Sequence, residues 1–197
     1  MLICSAANAV AGICEYLARR YMKRKLEFSR LFLYYNGQVI TQQTRRVQDN
    51  GAHPQDIILG LREYGVCEES IWPYKRRNLN VLPKREAYDQ ASHFTVVPIR
   101  IPPDIKSIET CLHNGIPVLV DVYLLDEHGT KVQANQGILP IPTFDEFQKN
   151  PCPTHAVLLI GYDRNTKHFI VRNSWGKFWV SSICILFIEE TSFSITF

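Results

Sequence analysis

The sequence predicts an α+β chain, helical in its first half and built on strands in its second. Three observations carry that prediction. Up to about Ser92 the apolar residues recur at helical spacing. Beyond it they alternate, or run together as they do in buried strands. The stretch from His155 to Trp175 reads as a hairpin, two apolar strands around a polar turn. The boundary is placed near Ser92, giving a helical domain over 1–92 and a β-rich domain over 93–197.

The first helix begins almost at once. Val10, Ile13, Cys14, Leu17 and Tyr21 share one face and no proline interrupts them, so Cys4 and Ser5 fall at the helix start. Ser29 is a suitable N-cap for a second helix over Arg30 to Asn36, with Gly37 ending it. After His53-Pro54, the residues Ile57, Ile58, Leu61 and Tyr64 form one apolar face, and Gly65 stops the helix. A Pro- and Asn-rich connection spans Pro73 to Pro83, and helical residues then lead to Ser92.

In the second half, Phe94 to Ile101 alternates like a strand until Pro102-Pro103. Asp104 to Asn114 reads as a short helix closed by Gly115, and Ile116 to Leu124 as a buried strand. A loop from Asp126 to Pro153 is longer than connections usually are in compact domains. The hairpin follows: His-Ala-Val-Leu-Leu-Ile-Gly-Tyr-Asp from His155, a turn from Arg164 to Lys167, then His-Phe-Ile-Val-Arg-Asn-Ser-Trp-Gly.

His155 opens one strand and Asn173 sits near the end of the other. In an antiparallel pair those ends lie side by side, within hydrogen-bond reach. An imidazole held by an amide is the base and orienting group of a catalytic triad. Trp175 is expected to cover the bond between them from water. The missing nucleophile has two candidates, Cys4 and Ser5. A thiol at a helix start feels unpaired N–H groups and the positive end of the helix dipole, which favour thiolate. Asp163 opens a tight turn, where Asp serves the backbone, and Glu146 lies in the long loop; neither displaces Asn173.

Composition narrows the function classes. No run approaches the roughly 18 apolar residues of a membrane span, so no membrane partner is expected. The net charge of +3 is mild, and the clusters Lys23-Arg24-Lys25, Arg45-Arg46 and Lys75-Arg76-Arg77 read as solvated helix ends and loops. No stacking motif or zinc spacing accompanies them, so no nucleic-acid partner is expected. Six cysteines at irregular spacing, without a Cys-x-x-Cys pair, predict reduced thiols and no metal site. The start of the chain lacks a basic leader, which predicts no signal peptide and a cytoplasmic location. A monomer is expected.

The His-Ala-Val-Leu-Leu-Ile-Gly-Tyr-Asp and Val-Arg-Asn-Ser-Trp-Gly segments resemble those of the papain/cathepsin superfamily of cysteine peptidases. Ser-Arg-Leu-Phe-Leu-Tyr-Tyr-Asn (29 to 36) and Tyr-Gly-Val-Cys-Glu-Glu-Ser-Ile-Trp-Pro-Tyr (64 to 74) look like its bacterial and lower-eukaryote branch, as does Gly-Ile-Leu-Pro-Ile-Pro (137 to 142). The matches run in the family's order from about Ser5 to Trp179. The resemblance implies a papain-like fold, with a helical domain, a β-barrel-like domain and an active site in the cleft between them, lined by the long loop. It also implies peptide or protein substrates, a thiol/His/Asn triad and no organic cofactor or metal.

Two departures qualify the resemblance. The family places a Glu ten residues after its nucleophilic Cys, and here Glu15 puts Ser5 at that position, with Cys4 one step off. One step at a helix start turns a side chain by about 100°. Met1 to Cys4 also hold no counterpart of the family's oxyanion-hole Gln, and the chain leaves the family pattern after Trp179. Serine is a favoured N-cap as well as a possible nucleophile, and its hydroxyl is far weaker than a thiolate. The alternative reading is therefore an impaired pseudopeptidase that binds peptide or a partner.

Overall fold

Small residues set how the first helix packs. In the computed structural model, α1 spans Ser5–Tyr21 and buries Ala6, Ala7, Ala9, Val10, Ala11, Gly12, Cys14 and Ala18. The structure describes residues 5–123, 138–139, 154–174 and 183–187. Cys4, Glu146, Trp175 and most of the 126–153 loop lie outside them. The chain divides into two units, Met1–Ile99 and Arg100–Phe197.

In the first unit, α2 (Arg30–Gln42) is buried on nearly every side, from Leu31 to Gln38. Its cap is Ser29, whose Oγ accepts from Phe32 N at 3.1 Å and donates to Trp72 O at 2.5 Å. Arg30 Nη2 reaches Glu15 Oε1 at 2.8 Å, tying α2 to α1 through a pair largely shielded from water. The helix does not end at Gly37 as the sequence suggested; it runs on to Gln42, with Gln43 in the left-handed region at φ 50°. Gly37 instead marks where α3 (Pro54–Tyr64) crosses, since a Cβ there would lie 3.2 Å from Ile57 Cα. Helices that approach this closely need a bare backbone at the crossing.

Gly65 does end α3, as expected. Its φ of 72° is open only to glycine at modest cost, and its N–H closes the helix on Leu61 O at 2.9 Å. A 3-10 turn at Arg76–Asn78 and helix α4 (Arg85–Ala91) complete the unit. Tyr88 of α4 donates to the buried Asn36 Oδ1 at 2.9 Å.

The strand expected over Phe94 to Ile101 does not form. Phe94 O accepts from Val66 N at 3.1 Å and its ring meets Phe28 edge-on at 5.1 Å, so this residue is held by the first unit. Further on, Val97 and Ile99 are 85% and 78% exposed, and among the described residues no strand pairs with them. Pro98 removes a donor that a ladder through this segment would need. The division of the chain into two units falls between Ile99 and Arg100.

The second unit opens with α5 (Ile105–His113), capped by Asp104, whose Oδ1 accepts from Ser107 N at 2.8 Å. The strands are β1 (Val118–Tyr123), β2 (Ile138–Leu139), β3 (Thr154–Asp163), β4 (His168–Arg172) and β5 (Ile183–Phe187). They form one sheet in the order β1-β3-β4-β5-β2, antiparallel except for the parallel β2–β5 pair. The resemblance implied a barrel; among the described residues the sheet is open, ending at β1 and β2. One of its faces carries Val118, Val120, Val122, Val157, Leu159, Phe169 and Val171, packed with Ile108 of α5.

Candidate active site

The hairpin turn is built as its sequence requires. Asp163 Oδ1 accepts from Asn165 N at 2.9 Å, and Lys167 takes the left-handed conformation at φ 55°. Those turn hydrogen bonds hold the Asp163 carboxyl below the usual carboxylate range, which accounts for the residue without any chemistry. From the turn, β3 and β4 pair as Asp163↔His168, Tyr162↔Phe169 and Gly161↔Ile170. The register then shifts: Leu159 pairs with Val171 and Leu158 with Arg172, which leaves Ile160 as an extra residue in β3. This is a β-bulge.

Beyond the bulge, the register carries Asn173 opposite Val157, two residues from His155 and on the same face. His155 and Asn173 are thus diagonal neighbours rather than directly opposite. Diagonal positions lie about 7–8 Å apart, still within reach of longer side chains. The contact is made: His155 Nε2 lies 2.9 Å from Asn173 Oδ1. Asn173 Oδ1 also accepts from the backbone N–H of Ser174 at 2.7 Å, a partner the sequence did not signal. An oxygen can only accept, so the His155 nitrogen facing it carries the proton.

Two influences act on that imidazole. Burial, the larger, penalises the charged ring, and the bond to Asn173 favours it; the net effect holds the His155 pKa below the ordinary histidine value. The apolar contribution comes from its own face of the sheet, where Val122 pairs with it on β1 and Val157 follows on β3. A base kept neutral near neutral pH, with one ring nitrogen committed to an amide oxygen, can take a proton at the other.

Ser5 is the first residue of α1, in the first unit, while His155 and Asn173 belong to the second. Cys4 and Trp175 fall outside the described residues. The two other cysteines of the helical unit are poor nucleophiles. Cys14 and Cys67 are free and buried, and burial pushes both thiols up to about 12. Among the described residues no group of three or more His, Cys, Asp or Glu side chains is arranged to hold a metal ion. No helix among them is long and apolar enough to cross a membrane.

Comparison with known proteins gives consistent matches. The sequence model of the papain family cysteine proteases matches residues 5–192. A peptidase C1-like protein of Acanthamoeba polyphaga mimivirus is 29% identical over 183 residues, covering 88% of this chain and 57% of that protein. The chain therefore spans a little over half the length of this relative. The crystal structure of xylellain, a cysteine protease from Xylella fastidiosa, superposes with a TM-score of 0.77 at 28% identity, covering 94% of this chain and 72% of that one. The Carica candamarcensis cysteine protease CMS1MS2, solved in complex with E-64, shares the fold at a TM-score of 0.64 and 17% identity, over 97% of this chain and 82% of that one.

Proposed function

The chain belongs to the papain family of cysteine proteases, and from that membership we propose that it hydrolyses peptide bonds by acyl transfer through His155, Asn173 and a nucleophile at the head of α1. The observation that carries the proposal is the 2.9 Å contact between His155 Nε2 and Asn173 Oδ1. With Nε2 bonded to the amide, Nδ1 is the basic nitrogen of the neutral ring, available to accept the proton of a thiol. The thiolate attacks the peptide carbonyl, and a backbone N–H at the helix start stabilises the oxyanion. His155 then gives its proton to the leaving amine, and water releases the acyl group by the same general-base route. The substrates would be peptides or proteins, and the acting species a monomer.

A second reading is favoured by Ser5. The first residue of α1 is Ser5, and Glu15, bound to Arg30 at 2.8 Å, fixes the rotation of the helix that follows it. If Ser5 occupies the nucleophile position, this chain binds peptide and cuts slowly or not at all. The experiment is to compare the wild type with Ser5→Cys and Cys4→Ala. Under the Ser5 register, the wild type turns over very slowly and resists thiol-directed epoxides, and Ser5→Cys gains activity. Rapid labelling of the wild type at Cys4, with loss of cleavage in Cys4→Ala, would instead make Cys4 the nucleophile.

A further inference from the structure

A cavity of about 420 Å³ lies at the other end of β3 from His155. Lys106, Glu109, Thr110 and His113 line it from α5, and Tyr162 and Arg164 line it from the hairpin. The four α5 residues recur at steps of three and four, so they share one face of the helix. Ile105, Ile108 and Leu112 pack against the sheet instead. The cavity thus belongs wholly to the second unit. His155 and Tyr162 are seven positions apart, about 23 Å along a strand, so the cavity stands well clear of the imidazole.

The one carboxylate in the lining is already committed. Glu109 Oε2 accepts from Arg164 Nε at 3.2 Å and from Nη2 at 2.7 Å, and the guanidinium lies 5.4 Å over the Tyr162 ring. An arginine held along one edge and one face has lost the freedom that an incoming anion would otherwise have to quench. Its side chain is still 72% exposed, and neither bond uses Nη1, whose two N–H groups remain as donors. Lys106 adds an ammonium one helical turn before Glu109. The acidic neighbours in the chain are taken up locally, Asp104 by Ser107 N and Oγ and Asp163 by Asn165 N. The volume suits an organic ligand rather than a single ion.

We propose that this cavity is a second binding site, one that takes an acidic segment of a peptide or protein, with its carboxylates on Arg164 Nη1 and the Lys106 ammonium. That the segment belongs to a substrate rests on the peptidase reading; the binding itself does not. An extended chain advances about 3.3 Å per residue. A substrate held at both places would therefore carry its acidic residues about seven or more positions from the bond that is cut.

The test is fluorescence anisotropy of labelled hexaglutamate with the full chain at about 0.1 M salt, where distant charges are largely screened. A His155→Gln background is read alongside the wild type, so that cleavage cannot consume the probe. Lys106→Gln and Arg164→Gln should each weaken binding about three- to fivefold, and both together about tenfold or more. Lys106→Gln does not touch the Arg164–Glu109 pair, so it reads the site even if Arg164→Gln loosens the turn. Lys75→Gln and Arg77→Gln remove the same charge outside the lining and should leave the affinity within about twofold. No binding of hexaglutamate, equal binding of hexaglutamine, or equal weakening by the Lys75 and Arg77 changes would overturn the proposal. So would displacement of the probe by glutarate at equal carboxylate concentration, which would make the ligand a small acid. Failure of the wild type and Ser5→Cys to cleave any peptide, with hexaglutamate still bound through Lys106 and Arg164, would instead sink the peptidase reading and leave the cavity standing.

Discussion

Asn173→Leu separates the two influences on His155. Leucine keeps the branch at Cγ, and hence most of the shielding, but removes the acceptor 2.9 Å from Nε2. A hydrogen bond to a charged group contributes about 1.5–3 kcal/mol, which corresponds to about ten- to a hundredfold in proton affinity. His155 is only partly buried, so the lower end applies, and the variant should bind its proton roughly tenfold more weakly. The sign for stability follows. With its folded pKa already lowered by burial, His155 is protonated more readily in the unfolded chain. Its contribution is complete above about pH 6.5, the unfolded value, and is lost as pH falls through the folded value. Asn173→Leu should deepen that loss in acid.

The assay is an NMR titration of the His155 ring in both proteins, assigned with His155→Gln. The wild-type midpoint should lie below the ordinary histidine value, and the variant lower still. A wild-type midpoint above the ordinary value would refute the reasoning. A thiolate about 4 Å from the ring contributes about 4 kcal/mol at an effective dielectric of about 20, close to a thousandfold in protonation. It would override burial. Such a result would mean that a negative charge from outside the described surroundings of His155 acts on the ring.

Three further outcomes are expected. Gly65→Ala should cost about 3 kcal/mol or more in urea unfolding, because φ is 72° and the new Cβ meets the Ala91 carbonyl, 2.7 Å from its carbon; a loss below about 1 kcal/mol would contradict this. Ser29→Ala should cost about 2 kcal/mol, since it removes the α2 cap and leaves Trp72 O without the hydroxyl that serves it in a fully buried position; an unchanged midpoint would count against it. Cys14 and Cys67, with pKa values raised to about 12, should label with a thiol reagent at pH 8 only as fast as the chain opens, so labelling at the rate of an exposed cysteine would disprove their burial.

Much of this protein is local, and the local part is legible in its residues. Ser29 and Asp104 cap the helices that follow them, and Gly65 ends α3, because a cap depends on one side chain and the few N–H or C=O groups beside it. The hairpin around Asp163–Lys167 follows equally from alternation and turn chemistry. Gly37 and the Phe94–Ile101 segment were misleading because their roles depend on distant partners: Ile57 across a helix crossing, and a neighbouring strand that the described residues do not supply.

The pairing at the site is the finest case. Counted back from Asp163↔His168 without interruption, Asn173 falls opposite Leu158, on the face of β3 away from His155. The extra residue Ile160 shifts the register by one and brings Asn173 to the His155 face. Sequence by itself determined that His155 and Asn173 sit at the ends of two adjoining strands. Only the tertiary structure decided that they face each other, because a bulge is set by cross-strand pairing and core packing, which no periodicity within one strand records.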